Sequence, residues 1–487
     1  MKRLLWIILI CALFFRVYRV SELTGFYYDQ GRDALVIWNL WHSHKPFLIG
    51  PTTGIEGIFL GPFYYYLIAP FYLLGNGNPV FPALALAVIN VIGIYVVYLI
   101  GEKFFHPLTG ILAAFFLAFS FPLVAAHRWL SNPTPLPLFS ALAVLFLLRL
   151  TTQNKHGLTW LFLGLCLGLS LQLEAASAVF FLPATLLILF LFRRQVIWGI
   201  GWLHALFGFC LTLIPQLWFN FRHDNLLIDA FAKFLVADKS FAPVLSDFYP
   251  QRLLFYFDSF FQKFFYDRGW AVFFGVFLLL VGIIYRKKVF TKSANVLLIW
   301  IVTPLIALLF YHGNHGYIWN YYFTGVYSLF VLLVAWIITQ TFLFKTPLFH
   351  LLSGLFILAF IITNQSLVFR NLSAPLTADT AINLGTSKAA VDWIYADAAG
   401  RQFNVDVYVP PVVPYAYDYL FLWRGQTRYH TAPAVGRTSL LYLLYESDPS
   451  HPERLTAWLD RQAGIAESVT AVGFGGVTVE RRERLNP

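Results

Sequence analysis

The chain has 487 residues, of which 59% are hydrophobic and only 12% charged. An average soluble domain carries about 25% charged residues. This chain cannot cover a water-facing surface, so a soluble enzyme is excluded and a polytopic membrane protein is expected. The formal net charge of +10 is scattered through loops, with no Lys/Arg-rich face of the kind nucleic-acid binding requires.

Lys2 and Arg3 precede the apolar run 4–15, and Arg16-Val-Tyr-Arg19 follows with no small-residue cleavage site. The N-terminus therefore reads as a retained signal-anchor helix. Counting this span at 4–20, apolar runs predict eleven membrane helices, the others at 79–100, 108–126, 133–150, 157–174, 176–192, 196–219, 269–285, 295–311, 318–340 and 347–364. The stretch 58–75, broken by Gly61, Pro62 and Pro70, is decided by charge. Short cytoplasmic loops collect Lys and Arg. The basic loops at Lys2/Arg3, Lys103, Arg149/Lys155, Arg193/Arg194, Arg286 to Lys292 and Lys345 share one side only if 58–75 does not cross. It is therefore expected to be an interfacial or re-entrant helix pair, with the N-terminus cytoplasmic and the C-terminus outside. Loops 21–78 and 220–268 then face outward, as do the turns at 127–132 and 312–317. Within 220–268, the amphipathic piece 253–265 suits the membrane surface. Cys11, Cys166 and Cys210 all lie in apolar runs and show no disulfide framework.

After residue 369 the composition becomes that of a soluble protein. Strands are predicted at 403–409, 439–445 and 469–480, and helices at 388–399, 415–423 and 452–462. The division expected is 1–369 for the membrane part and 370–487 for a small extracytoplasmic α/β domain.

The first outer loop holds Asp29 and Asp33. Four residues apart, the two carboxylates share a helix face. They follow a membrane helix, where a carboxylate is costly unless it binds a proton, a cation or a substrate hydroxyl. A plainer account is equally open, with Asp29 capping the helix and Asp33 paired to Arg32 or Lys45. The loop continues through Lys45, Gly50-Pro-Thr-Thr-Gly54 and Glu56, a Gly/Pro-dense chain that permits close backbone approach. The same face collects His127, Arg128 and Asn132; Gln172 and Glu174; Arg222, His223 and Asp224; and His312, Asn314, His315 and Tyr321. A departing phosphate wants such Arg, Lys and His donors. A basic rim facing lipid headgroups, with Arg222 paired to Asp224, accounts for them as well. His312 and His315 have no adjacent carboxylate and make a poor metal pair. No phosphate-binding glycine loop, nucleophile elbow or dinucleotide fingerprint is present, so no cytoplasmic ATP or NAD site is expected.

In the order and spacing of Tyr28-Asp-Gln-Gly-Arg-Asp-Ala34, Gly61-Pro-Phe-Tyr-Tyr-Tyr-Leu67, Gly101-Glu-Lys-Phe-Phe-His-Pro107 and His127-Arg-Trp-Leu-Ser-Asn-Pro133, the chain resembles the membrane glycosyltransferases of the GT-C fold. It is most similar to the protein O-mannosyltransferase-like group that includes the lipid A aminoarabinose transferases. The likeness is good over 1–220, loose over 221–365 and poor beyond. It implies an all-α polytopic membrane fold with a small outer α/β domain, in the plasma or inner membrane. It also implies a polyprenyl-phosphate-linked sugar donor, a lipid, glycan or protein acceptor, and inverting transfer on the outer side. The catalytic carboxylate falls on Asp29, with Asp33 secondary. The transfer needs a base for the acceptor hydroxyl and cations for the leaving phosphate. Lys45, Arg128 and Arg222 are the expected phosphate partners. Glu56, Asn132, Glu174, His223, His312 and Tyr321 are further substrate-binding candidates. A divalent cation (Mg or Mn) would sit at Asp29. Two departures weigh against one held between loops: Gln30 where many relatives have an acid, and Ser131-Asn132-Pro133 where many have an Asp. The rival readings are a lipid or glycan transporter or flippase, and a non-catalytic scaffold with an outer binding domain. A transporter usually shows two similar halves and polar groups at mid-membrane, whereas the polar groups here gather at one face.

Overall fold

A computed structural model describes residues 1–153, 157–196, 198–236, 245–312, 316–344, 346–410 and 413–484. Lys155, Asn314, His315 and Lys345 lie outside these residues. Each of the eleven expected membrane segments is helical over most of its length. By length and composition, five helices among the described residues are sufficient to cross a bilayer: Val80–Phe104, Gly201–Arg222, Lys292–Leu309, Asn320–Leu343 and Pro347–Leu372. The bent pair Pro107–Phe119 and Phe121–His127 meets the same test taken together and makes a sixth where it counts as one broken span. The remaining expected spans are shorter apolar helices, such as Leu136–Thr152 and Leu158–Leu173.

The expected 108–126 span is broken at Ser120, where the pair bends by 69°. Extended backbone at Ser120 and Pro122 in the next turn interrupt the helical ladder. The freed groups are satisfied locally. Phe121 N–H donates to Asn364 Oδ1 at 2.8 Å, and Ser120 Oγ donates to the Lys263 carbonyl at 2.6 Å. Arg16, fully buried near the end of helix Lys2–Val17, donates to the carbonyls of Leu117 (2.9 Å) and Ala118 (3.3 Å) and so locks the first helix to this bend. Helices Leu158–Leu173 and Gly201–Arg222 meet through Gly164, Gly168 and Gly208, whose missing side chains let the backbones touch.

Between residues 44 and 79 the expected helix pair is instead a single helix, Phe63–Leu74, preceded by an irregular segment with one bridge between Thr52 and Phe59. Twelve residues span about 18 Å at 1.5 Å per residue, too short for a hydrocarbon core of about 30 Å.

The C-terminal part builds a four-stranded mixed sheet in the order β1-β2-β4-β3, with β1 Phe403–Tyr408, β2 Leu440–Glu446, β3 Glu467–Phe474 and β4 Val477–Glu483. β1 and β2 are parallel and the other pairs antiparallel. The expected single strand 469–480 is a hairpin, because Gly475 at φ 60 and Gly476 turn the chain back. Along β2 the period-two alternation separates two faces. Leu440, Tyr442 and Leu444 join the main core, while Leu441 and Leu443 pack with Trp458 of helix Pro452–Arg461. Helices Leu384–Ala398 and Tyr415–Arg424 contribute their buried residues to that main core, which runs without a break into the apolar bundle.

Candidate active site

Helix Tyr28–Ser43 carries both acidic residues and is called the acidic helix below. The Tyr27 N–H is accepted by Gln30 Oε1 at 3.0 Å, which satisfies a donor that precedes the first turn. Gln30 is buried, and its Nε2 donates to the Leu130 carbonyl at 3.1 Å. A carboxylate cannot make that donation. The amide at this position is what ties the first loop to the turn after His127.

Asp29 and Asp33 lie on one helix face and are bridged by Arg32. Arg32 Nη1 contacts Asp29 Oδ1 at 2.9 Å, and Arg32 Nη2 contacts Asp33 Oδ1 at 2.8 Å. Asp29 does not cap the helix, since Tyr27 holds the N-cap position. The two carboxylates differ sharply in exposure, 53% for the Asp29 side chain against 4% for Asp33. Asp33 also accepts from the Tyr65 hydroxyl at 3.0 Å, and Thr52 Oγ1 accepts from Arg32 Nη1 at 3.2 Å. Burial pushes the Asp33 carboxyl up to about 6, against the opposing pull of Arg32 and Tyr65. Burial likewise raises the Tyr65 hydroxyl well above its usual range, which keeps it a donor. Asp33 is the buried anchor and Asp29 the open carboxylate of one charged unit. The Asp33–Arg32 pair is the one the plainer account offered, whereas the contact of Arg32 with Asp29 and the Tyr65 hydroxyl on Asp33 were not expected. Tyr65 sits in a run of three tyrosines, and nothing in that run marks which one faces the acid.

Other expected residues converge on the same place. Asn132 Nδ2 donates to the Leu173 carbonyl at 2.6 Å, next to Glu174. Glu174 is buried and caps the following short helix through Oε1 to Ala176 N–H at 2.9 Å. Trp129 and Tyr321 meet edge to face with centroids 5.9 Å apart, and the Tyr321 hydroxyl lies within electrostatic reach of both Glu174 and Asp29. Asp29, Asn132, Glu174 and Tyr321 therefore come from four segments to one region.

The rest are placed differently. Arg128 Nη1 donates to the carbonyls of Phe15 (3.0 Å) and Tyr18 (2.9 Å), closing the end of the first helix. None of its hydrogen bonds or ion pairs among the described residues joins it to Asp29. The His223 ring stacks on Phe219 at 4.0 Å. His312 lies against Phe248 with ring centroids 5.3 Å apart. Lys45, Glu56 and Arg222 are exposed, and none has an ion-pair partner among the described residues, so Arg222 is not paired to Asp224. The 253–265 piece does not lie on the surface alone, since Tyr256, Phe260, Phe264 and Phe265 are buried in the core.

A divalent cation does not fit these residues. Arg32 already occupies the space between the two carboxylates. The Gln30 and Asn132 amides are turned to backbone carbonyls. Among the described residues no three His, Cys, Asp or Glu side chains form a ligand group.

The C-terminal part docks directly on this unit. Tyr28 packs on Tyr415 with centroids 4.9 Å apart, and Gly31 faces the Tyr415–Ala416 backbone with no room for a Cβ. Leu384 N–H donates to the Thr24 carbonyl at 2.8 Å, and the Tyr27 hydroxyl donates to the Ile382 carbonyl at 2.9 Å.

Residues 60–219, about a third of the chain, match the family described as dolichyl-phosphate-mannose-protein mannosyltransferase. Among curated protein sequences none matches the chain. Among solved structures, it is similar to ArnT from Cupriavidus metallidurans in the apo state, with 11% identity, 98% of this chain and 97% of that one covered, and a TM-score of 0.61. The same ArnT bound to undecaprenyl phosphate gives 10% identity, 99% and 97% coverage and a TM-score of 0.59. The apo oligosaccharyltransferase of Archaeoglobus fulgidus gives 14% identity, 89% and 64% coverage and a TM-score of 0.50. The chain is a multi-pass membrane protein with the GT-C fold, in the arrangement seen in ArnT.

Proposed function

We propose that this chain is a membrane glycosyltransferase. It moves a sugar from a polyprenyl-phosphate donor to an acceptor hydroxyl on the outer side of the cell membrane, with inversion. The observation that carries the reading is the open Asp29 carboxylate, held by Arg32 against the buried Asp33, where four segments converge. The mannosyltransferase family match over 60–219 and the lipid phosphate bound by ArnT support the donor class.

In this mechanism Asp29 takes the proton of the acceptor hydroxyl as it attacks the anomeric carbon. A solvent-reachable carboxylate is suited to that, and Arg32 holds it by its Oδ1. The bond to the lipid phosphate breaks on the opposite face, and the phosphate leaves as an anion. Arg222, uncommitted to any carboxylate among the described residues, is its counter-charge, whereas Lys45 follows the far end of the acidic helix, about 21 Å from Asp29 at 1.5 Å per residue. Asp33 and Tyr65 position Arg32. No step needs a metal ion.

The test is purified protein in nanodiscs with a prenyl-phosphate sugar labelled in the sugar, assayed in the presence of EDTA. Transfer of label to an added acceptor supports the reading. Movement of intact donor between leaflets without cleavage would make the chain a transporter.

A further inference from the structure

Helix Gly201–Arg222 is long and apolar enough to cross a bilayer, and it ends in a built corner. Asp224 and Asn225 take the left-handed region, at φ 49 and 63. Asn220, almost fully buried, closes the turn. Its Oδ1 accepts from the Leu227 and Ile228 N–H groups at 3.1 and 3.2 Å, and its Nδ2 donates to Asn225 Oδ1 at 2.9 Å. Two first-turn donors of the next helix, Leu226–Val236, are thereby satisfied from the helix before it. These bonds set the direction in which the second helix leaves the first.

At about 100° per residue the second helix divides into three sectors. Leu227, Ala230 and Phe234 are half-buried and share the face turned to the protein. Ala230 sits against Gly57, where a Cβ would come within 2.9 Å. Ile228, Phe231 and Ala232 make a second sector about 120° further round. It has no cover: Ile228 is 58% and Phe231 51% exposed. Asp229 and Lys233, both exposed, make the third sector, about 130° beyond the second. The preceding helix brings its own exposed apolar stripe, Leu211, Ile214, Trp218 and Phe221, up to the corner. That stripe is what a helix turns to lipid, with its aromatic residues at the end where headgroups lie.

We propose that helix Leu226–Val236 lies in the headgroup layer of the bilayer and braces the charged unit of the acidic helix against it. The apolar sector enters the acyl boundary, the Asp229/Lys233 sector faces water, and the remaining sector holds the protein. A second copy of the chain is a poor occupant of the apolar sector. Eleven residues make a face about 16 Å long and roughly 10 Å wide, far below the 800 Å² or so that each partner of a stable dimer buries. The brace runs through one short segment. Gly57 lies between Thr52 and Phe59, which are joined by a bridge. The Phe59 carbonyl accepts from Gln216 Nε2 at 3.3 Å, and its ring meets Phe219 at 6.0 Å. At the other end, Thr52 Oγ1 accepts from Arg32. This helix, and not the 253–265 piece, takes the surface role expected within 220–268. The inference uses neither donor nor turnover, so it stands apart from the glycosyltransferase reading.

The test places a bimane label on Ile228→Cys, Phe231→Cys or Asp229→Cys, with Cys210→Ser because Cys210 is exposed. The full chain is held in phosphatidylcholine nanodiscs. One quencher is a phosphatidylcholine with a nitroxide on its acyl chain near the headgroup, and the other is aqueous iodide. The ratio of lipid to iodide quenching should be at least about twofold higher at 228 and at 231 than at 229. An equal ratio at all three, with iodide dominant, puts the helix in water and overturns the proposal. Protection of 228 and 231 from both quenchers puts protein on the apolar sector and overturns it too. The brace is read by hydrogen exchange at the Thr53 and Leu60 amides, which donate to the Ile58 and Pro51 carbonyls. Phe231→Asp puts a charge at the acyl boundary and should speed their exchange at least about fivefold, while Lys233→Gln should leave it unchanged. Unchanged exchange in Phe231→Asp overturns the brace.

Discussion

Gly31→Ala tests whether the C-terminal part is a working component of the reaction centre. A Cβ at residue 31 would lie 2.3 Å from Ala416 N, 2.3 Å from the Tyr415 carbonyl carbon and 2.4 Å from its oxygen. These are backbone atoms of a packed helix and cannot swing aside. Reaching van der Waals distance requires the two helices to part by more than 1 Å at this point. Overpacking of this kind costs about 1–3 kcal/mol, and a rigid obstacle argues for the upper end. The control is Gly354→Ala, also in a helix, where a Cβ meets nothing within 4 Å. There the substitution should gain up to about 1 kcal/mol of helix propensity. Gly31 is helical too and gains the same propensity, so the expected difference in docking is the overpacking cost, roughly 1–3 kcal/mol, or at least about a fivefold larger undocked fraction. Proteinase K cleavage of the 373–383 connector reports undocking, and sugar transfer reports its consequence. Equal cleavage rates in Gly31→Ala and Gly354→Ala would refute the close approach on which the docking argument depends.

Gln30→Glu should destabilise the chain by about 1–3 kcal/mol in thermal unfolding, because the donation to Leu130 is lost and a carboxylate faces a buried carbonyl; an unchanged midpoint would show that this contact holds nothing together. Burial raises the Glu446 carboxyl to about 7, although the Tyr417 hydroxyl donates to it at 2.9 Å. The fold binds that proton more tightly than the unfolded chain does, so its stabilising contribution is complete below pH 4.5 and lost as the pH rises towards 7. Glu446→Gln should flatten that slope in thermal unfolding, and a slope that persists assigns it to another group. For topology, with Cys210 replaced because it is exposed, a cysteine at Phe290 should react with an impermeant thiol reagent only after lysis and one at His430 in intact cells. Labelling of both from one side contradicts the orientation proposed.

The sequence was most legible where one physical rule dominates. Uninterrupted apolar runs located the helices because a bilayer demands them. The same rule missed the break at Ser120, which depends on Asn364 and Lys263 far along the chain. Composition marked off the C-terminal sheet, yet the 469–480 segment reads as one strand unless Gly475-Gly476 is taken as a turn. Within the site, the Asp29–Asp33 pair follows from helical spacing alone. The Arg32 contacts are local to the helix as well, but that Asp33 is buried and that Tyr65 completes the group depend on how helix Phe63–Leu74 packs. Arg128 shows the converse. Its charge and position suit a phosphate; its Nη1 serves two carbonyls at the end of the first helix within 3.0 Å, while its Nη2 is enclosed without a partner. A basic residue beside a helix end carries no sequence mark that tells a substrate ligand from a cap.

The most direct measurement is single-turnover sugar transfer by Asp29→Asn, compared with wild type at saturating donor. Asn keeps an oxygen for the Arg32 contact, made at 2.9 Å in the wild type, but cannot accept the acceptor proton. The variant should insert, fold and bind the lipid donor as wild type does, yet transfer sugar at least about a hundredfold more slowly, the lower range for loss of a general base. Near-normal transfer by Asp29→Asn would contradict the account and move the search for the base to Glu174 and Glu56.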